Sequence, residues 1–281
     1  RSGPSRAAKY GAVGVMIHSL STAPDNAPHT GATAYDSAYA KIPCVAVGPN
    51  DAVKLYALAK KSIVRAQLQT YGYFLPDADE NNVVAEIKGS EFPEQIITIG
   101  GHLDSWDVNE GAHDDGAGVV HTMEVLRALK AVGYHPKRTI RFVLFANEEN
   151  GLRGGLKYAE LAKQNNEQHI FAMESDEGGF TPRTIGMTCT PAQLKKFQTW
   201  TSLLKPYGTE VLAGGGGADI GPLSKVNPAI VMSSMIPDSQ RYFDLHHAKT
   251  DVFEAVSKRE LLLGAANIAA VIYLVDQYGV N

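Results

Sequence analysis

The chain reads as an α/β protein: a mainly parallel, twisted sheet flanked by helices, preceded by part of a second, smaller α/β unit. Three observations predict this. From about residue 83 onward, strand-like apolar runs alternate with helix-length amphipathic segments, the pattern of crossover-connected parallel strands covered on both faces. Between Tyr71 and Asn82, residues Pro76, Asp77, Asp79, Glu80 and two adjacent asparagines give linker chemistry. Finally, His102, Asn147-Glu148-Glu149 and Glu174-Ser-Asp176 each follow an apolar run, and ligands in parallel sheets gather outside the carboxyl ends of strands.

In the first half, residues 8–19 read as a helix end, the turn Tyr10-Gly-Ala and a buried strand over Val13-Gly-Val-Met-Ile. A loop rich in Thr, Pro and Asn follows. Ile42-Pro-Cys-Val-Ala-Val-Gly predicts a short strand, Asp51 to Lys60 an amphipathic helix capped by Asn50 or Asp51, and Ile63-Val-Arg-Ala-Gln-Leu another strand. The second half predicts strands at 83–88, 95–101, 139–146, 168–174 and 229–235, and helices at 117–131, 151–163, 191–205 and 257–278. The unit boundary is expected at residues 72 and 73. The apolar stretch 261–275 is broken by Asn267 and ends before Asp276, so it reads as a core helix and no membrane span is expected.

At 281 residues, 44% hydrophobic and 20% charged, the chain has ample apolar material for a core. A net charge of -4 and the absence of any Lys/Arg-rich run argue against nucleic acid as a partner. Cys44 and Cys189 are too few and too far apart for a disulfide framework or a zinc knuckle. The glycine run Gly214 to Gly217 lacks the Gly-Lys-Ser/Thr ending of a phosphate loop and is expected to be a flexible loop beside a site. The opening Arg1-Ser-Gly-Pro-Ser-Arg, without Met, is expected to mark a processed or truncated product.

Five segments carry the chemistry: His102-Leu-Asp-Ser, His113-Asp-Asp-Gly, Glu148-Glu149-Asn-Gly, Glu174-Ser-Asp-Glu and His246-His247. Unpaired charge at the ends of buried strands costs several kcal/mol, and a bound dication relieves that cost. Imidazole and carboxylate without thiolates suit an open catalytic zinc site, and a pair of zinc ions bridged by one carboxylate is the expected arrangement. Hydrolysis of an amide then needs a base. Of the adjacent glutamates, Glu148 is assigned as general base and Glu149 as metal ligand, against the plainer reading of two solvated glutamates near a helix N-terminus. Asp104 is spaced to orient His102, while Asp114 and Asp115 sit in a turn where an Asp could merely cap the helix at 117. One of His246 and His247 is expected to ligate and the other to face substrate, with Asp251 fixing their loop; His18, His29, His113, His121, His135 and His169 read as surface or core residues.

These segments, with Phe92-Pro-Glu-Gln, Gly101–Asp107, Pro136–Thr139 and Met173–Asp176, resemble the dizinc exopeptidases typified by bacterial leucyl aminopeptidase, aminopeptidase Y and glutamate carboxypeptidase, the plasma glutamate carboxypeptidase branch being nearest. The resemblance covers residues 80–280 well. The first 70 resemble the later part of that family's inserted protease-associated domain, so 1–72 is expected to be part of that domain and 73–281 the catalytic domain. It implies Asp114 as bridge, Glu149 and His247 on one zinc, His102 and Asp176 on the other, and Glu148 as base. It also implies Asp104 as the carboxylate orienting His102, a cis peptide before Asp115, and either His246 or Tyr242 supporting the tetrahedral oxyanion. The implied activity is zinc-dependent hydrolysis of short peptides or dipeptides by an exported protein, compatible with a homodimer. The resemblance also implies an N-terminal catalytic segment and the first part of the inserted domain ahead of the point where this sequence starts, so a removed piece or a partial chain is expected. Two other readings stand beside this one: a catalytically silent binding or receptor module, and a single-zinc acyltransferase resembling glutaminyl cyclase.

Overall fold

A computed structural model describes residues 1–281. The N-terminal part holds α1 (Gly3–Ala8), β1 (Val15–His18), β2 (Cys44–Val47) and α2 (Pro49–Ala59). The two strands pair in parallel, Val15 opposite Cys44 and His18 opposite Val47. Helix α2 begins earlier than expected. Gly48 is its N-cap and Pro49 its first residue, where a missing N–H loses no helical bond, so neither Asn50 nor Asp51 caps it. Asp51 instead accepts from the Asn26 side-chain amide at 2.7 Å. The strand expected over 63–68 does not form: residues 60–82 carry neither helix nor strand, and Ile63 is 94% exposed. Its β-branched residues favour an extended chain, but no sheet edge pairs with it and no apolar face covers it.

Beyond residue 82 the chain runs β3 (Val83–Ile87), β4 (Phe92–His102), α3 (Gly116–Ala131), β5 (Arg138–Phe145), α4 (Arg153–Gln164), β6 (Gln168–Glu174) and β7 (Pro182–Thr188). It continues as α5 (Pro191–Gln198), α6 (Thr201–Leu204), β8 (Glu210–Ala213), α7 (Leu223–Val226), β9 (Val231–Pro237), α8 (Ser239–Leu245) and α9 (Lys258–Tyr278). Seven strands form one sheet in the order β3-β5-β4-β6-β9-β7-β8. Its centre, β5-β4-β6-β9, is parallel, while β3 and β7 each run antiparallel to the strand they join.

Both faces are covered, as the alternation of strands and helices predicts. Ile140 and Phe142 of β5 join Ile97, Val125, Ile268 and Val271 in the layer under α3 and α9. Val143 and Phe145 face the other way, onto Tyr158, Ala159 and Ala162 of α4 and Leu223 of α7. Helix α9 is long and apolar enough by composition to cross a membrane, yet half of its apolar window is buried in this core. Two features depart from expectation. Strands β7 and β8 lack a continuous apolar run and form because Ile185, Met187 and Val211 still point into the core. The helix expected over 191–205 is interrupted after Gln198, where the Thr199 hydroxyl donates to the Lys196 carbonyl at 2.6 Å and competes with the backbone ladder.

Candidate metal centre

The parallel register places the ends of three adjacent strands side by side: His102 of β4 pairs with Phe145 of β5, and Gly100 of β4 with Glu174 of β6. The residues that follow, 146–149 and 175–176, therefore leave the sheet at one edge beside His102. Helix α3 points its N-terminus at the same edge. Its N-cap Asp115 accepts from Gly118 N at 2.9 Å with one carboxylate oxygen and from His102 N at 2.9 Å with the other, clamping strand end to helix start. That close approach requires glycine. A Cβ at Gly101 would overlap the Asp115 carboxylate, and one at Gly118 would overlap the Ser175 carbonyl oxygen. The Asp114–Asp115 peptide is cis.

Asp114 lies at the centre. Its Oδ1 is 3.3 Å from His102 Nε2, which is also 3.3 Å from Asp176 Oδ1. Its Oδ2 is 3.2 Å from His247 Nε2, which is 3.2 Å from Glu149 Oε2. The two oxygens of one carboxylate thus face two separate donor groups. Glu148 joins His102 and Glu149 in a further cluster within ligand reach, and His246 joins Asp114 and His247. His246 stacks on His247 with ring centroids 3.6 Å apart and has its Nε2 3.6 Å from Asp114 Oδ2. The two histidines of this pair therefore both face Asp114. All seven residues singled out in the sequence are brought together.

Supporting groups fix these side chains. The Asp104 carbonyl takes the His102 Nδ1 hydrogen bond at 2.9 Å, and the Asp104 carboxylate stands 3.6 Å from that nitrogen. The same carboxylate accepts from Glu148 N at 2.9 Å and Glu149 N at 3.1 Å, so its larger task is to shape the turn after β5. Trp106 Nε1 donates to Glu149 Oε2 at 2.6 Å, a contact the sequence reading did not anticipate although Trp106 stands in the Gly101–Asp107 run. Asp251 accepts from His113 N at 2.7 Å and Asp114 N at 3.0 Å, tying Asp114 to the loop that bears His247. His121 is buried between the Ser175 hydroxyl and the Leu261 carbonyl.

The electrostatics ask for a cation. No Lys or Arg forms an ion pair with Asp114, Glu148, Glu149 or Asp176; the charge partners of Asp114, Glu149 and Asp176 are histidines. Burial works against charge on His247, but Asp114 and Glu149 outweigh it and push its pKa up to about 10. Burial likewise opposes a charge on His102, which Asp104, Asp114 and Asp176 nevertheless hold protonated far above the imidazole range. Burial pushes the Glu148 carboxyl up to about 7 and that of Asp219 up to about 8. His102 Nε2, Asp114 Oδ2, Glu149 Oε1 and Asp176 Oδ1 are buried without any hydrogen-bond partner. Polar atoms left so in a low-dielectric pocket cost about 1–3 kcal/mol each, and a dication would displace the imidazole protons and take up these lone pairs; two imidazoles and three carboxylates fit divalent zinc.

Over this edge lies a cleft of about 830 Å³. Its walls include Glu148, Asp176, Tyr242 and His246 on one side, and Ile17, His29 and Thr30 of the N-terminal part on the other. His29, read from sequence as a bland residue, is one of them. Nothing in the sequence marks Thr30, because its contribution is a backbone carbonyl, 3.1 Å from His247 Nδ1.

The sequence profile described as Peptidase family M28 matches residues 82–272. Carboxypeptidase Q from Bos taurus is 36% identical over 275 residues, covering 97% of this chain and 58% of that protein, and the Xenopus laevis protein of the same name is 37% identical over 98% of this chain. The chain belongs to peptidase family M28. It spans 58% of the length of these curated relatives. Among solved structures, an M28 peptidase precursor from Shewanella amazonensis superposes with a TM-score of 0.84 at 32% identity, covering 98% of this chain and 63% of that one. The zinc aminopeptidase of Bacillus subtilis (TM-score 0.62, 19% identity, 94% of this chain and 64% of that one) shares the fold. So does a glutaminyl cyclase from an Acidobacteriales bacterium (TM-score 0.56, 17% identity, 70% of this chain and 74% of that one).

Proposed function

We propose that this chain is the catalytic part of a zinc-dependent exopeptidase acting on short peptides or dipeptides. The observation that carries the reading is Asp114, whose two oxygens face His102 with Asp176 and His247 with Glu149. In the proposal His102, Asp176 and Asp114 would hold one zinc ion, and His247, Glu149 and Asp114 the other. His246 is as near to Asp114 as a ligand need be, but Glu149 brings the negative charge a dication requires and has an unpartnered buried oxygen. Two zinc ions so held would supply Lewis acidity and a water acidic enough to attack at neutral pH.

The remaining work belongs to side chains. Glu148 lies within ligand reach of His102 and Glu149 but is assigned no metal, leaving it free to take the proton of the attacking water and return it to the leaving amine. Burial raises its carboxyl in the metal-free protein, which favours a group that can take up a proton rather than remain a bare carboxylate. Tyr242 is buried beside Asp114, and His246 is held neutral because burial lowers its pKa to about 4. Either can donate a hydrogen bond to the oxyanion without carrying charge. The wall contributed by Ile17, His29 and Thr30 of the N-terminal part narrows the cleft over the site, which supports short substrates. Residues 1–72 are proposed as part of a protease-associated domain and 73–281 as the peptidase domain. The family resemblance extends the proposal to an exported homodimer.

Incubating the purified chain with zinc and a panel of free dipeptides tests this. Zinc-dependent release of amino acids that a chelator abolishes is the expected result. A chain that binds zinc and hydrolyses none of them would refute the peptidase reading and favour a binding module.

A further inference from the structure

We infer that the N-terminal part of the chain is a positioning element for the metal site, acting through the backbone carbonyl of Thr30 on the imidazole of His247. The inference rests on the metal-site reading above. His247 presents Nε2 to Asp114 and Glu149, and its other ring nitrogen, Nδ1, lies 3.1 Å from the Thr30 carbonyl oxygen. An imidazole that ligates through one nitrogen is oriented by what accepts the hydrogen of the other, and the acceptor fixes the tautomer. For His102 that acceptor is the Asp104 carbonyl, two residues away in the same loop. For His247 it lies 217 positions away, in the N-terminal part.

The contact is built rather than incidental. Thr30 N donates to the His247 carbonyl at 2.9 Å, and His29 pairs with Ala248 in an antiparallel bridge, so the two segments are joined by a short ladder. His247 needs such bracing because its φ is +60°, a left-handed conformation that a side chain with a Cβ adopts only when its surroundings hold it there. A second tie lies one helix end away. The Asp244 carboxylate accepts from Thr22 N at 2.8 Å, from the Thr22 hydroxyl at 3.0 Å and from the Ser21 hydroxyl at 3.3 Å. Residues 19–31 are thereby strapped across the loop that carries both histidines. His29 is 8% exposed, lines the cleft, and has its Nε2 buried without a partner, so the strap also forms part of the wall that substrate meets.

The test is the zinc affinity of the purified chain, measured by competition with a chromophoric chelator, with KM and kcat for a dipeptide measured alongside. Two variants loosen the strap at different points: Asp244→Asn removes the charged acceptor for Thr22, and Thr30→Pro removes the N–H that pairs with His247. Lys54→Ala, on the outer face of α2, is the control. Folding of each is checked by circular dichroism. The inference predicts that both strap variants bind one of their two zinc ions about 10–100-fold less tightly than wild type, the range expected for loss of an outer-shell partner, while Lys54→Ala does not. Restoration of affinity by Asp244→Glu would support it further. Unchanged zinc affinity in folded Asp244→Asn and Thr30→Pro overturns the inference and leaves the metal-site reading intact. Failure of the wild-type chain to bind zinc overturns both.

Discussion

Replacing Asp104 by Asn changes one atom and isolates the turn that delivers both glutamates. The carboxylate of Asp104 accepts from the backbone N–H groups of Glu148 and Glu149 at 2.9 and 3.1 Å. Hydrogen bonds to a charged group contribute about 1.5–3 kcal/mol each, and an amide retains only one oxygen to meet two donors. The other donor would face an NH2 group and lose its partner, so the loss is about 2–4 kcal/mol after allowing for the weaker neutral bond that remains. The Asp104 carbonyl is untouched, and with it the His102 hydrogen bond at 2.9 Å. Urea unfolding of the metal-free protein should therefore show this loss, and zinc titration should show selective weakening of the site that includes Glu149. A change in stability below about 0.5 kcal/mol, the scatter of ordinary surface substitutions, would refute the reasoning. Equal weakening of both zinc sites would also refute it.

Glu148→Gln should lower turnover by about 10²–10⁴-fold while zinc content, measured by atomic emission, stays at the wild-type level. Gly118→Ala should destabilise by about 1–3 kcal/mol or more, because the new Cβ meets backbone at Ser175 that cannot step aside, whereas Gly72→Ala, with open space around it, should be near neutral in the same thermal melts. His121 gives a pH signature. Its pKa is lowered to about 4 by complete burial, so the folded protein keeps it neutral while the unfolded chain protonates it near 6.5. The native state thus binds fewer protons than the unfolded state between these values. Stability from this group is present above pH 6.5 and is lost as pH falls towards 4, by about 3 kcal/mol in all. In His121→Gln the slope of unfolding free energy against pH over that window should flatten; an unchanged slope would show that other groups carry it.

The residues of the candidate metal site stood out in the sequence because each combines a chemically expensive side chain with a position that a parallel sheet explains. His102, Glu149 and Asp176 follow apolar runs that become β4, β5 and β6, and the parallel register then forces them together. Asp114 was harder, since an Asp before a helix is commonly a cap; in the structure the neighbouring Asp115 does the capping and Asp114 is left free to face the histidines. What could not be read depends on tertiary context. Strands β7 and β8 have no long apolar run, and residues 63–68 look strand-like yet find no partner. Thr30 acts through a carbonyl, which every residue possesses, so no side-chain pattern distinguishes it. The Asp104 carboxylate stands 3.6 Å from His102 Nδ1, as expected, and also accepts from the amides of Glu148 and Glu149, a second task that depends on which backbone groups folding brings beside it.

The most direct test of the central claim is an anomalous difference map from zinc-soaked crystals, collected on both sides of the zinc absorption edge. The account predicts two peaks, one on each side of the Asp114 carboxylate, the first contacted by His102 and Asp176 and the second by His247 and Glu149. A single peak at full occupancy, or peaks remote from Asp114, would contradict it.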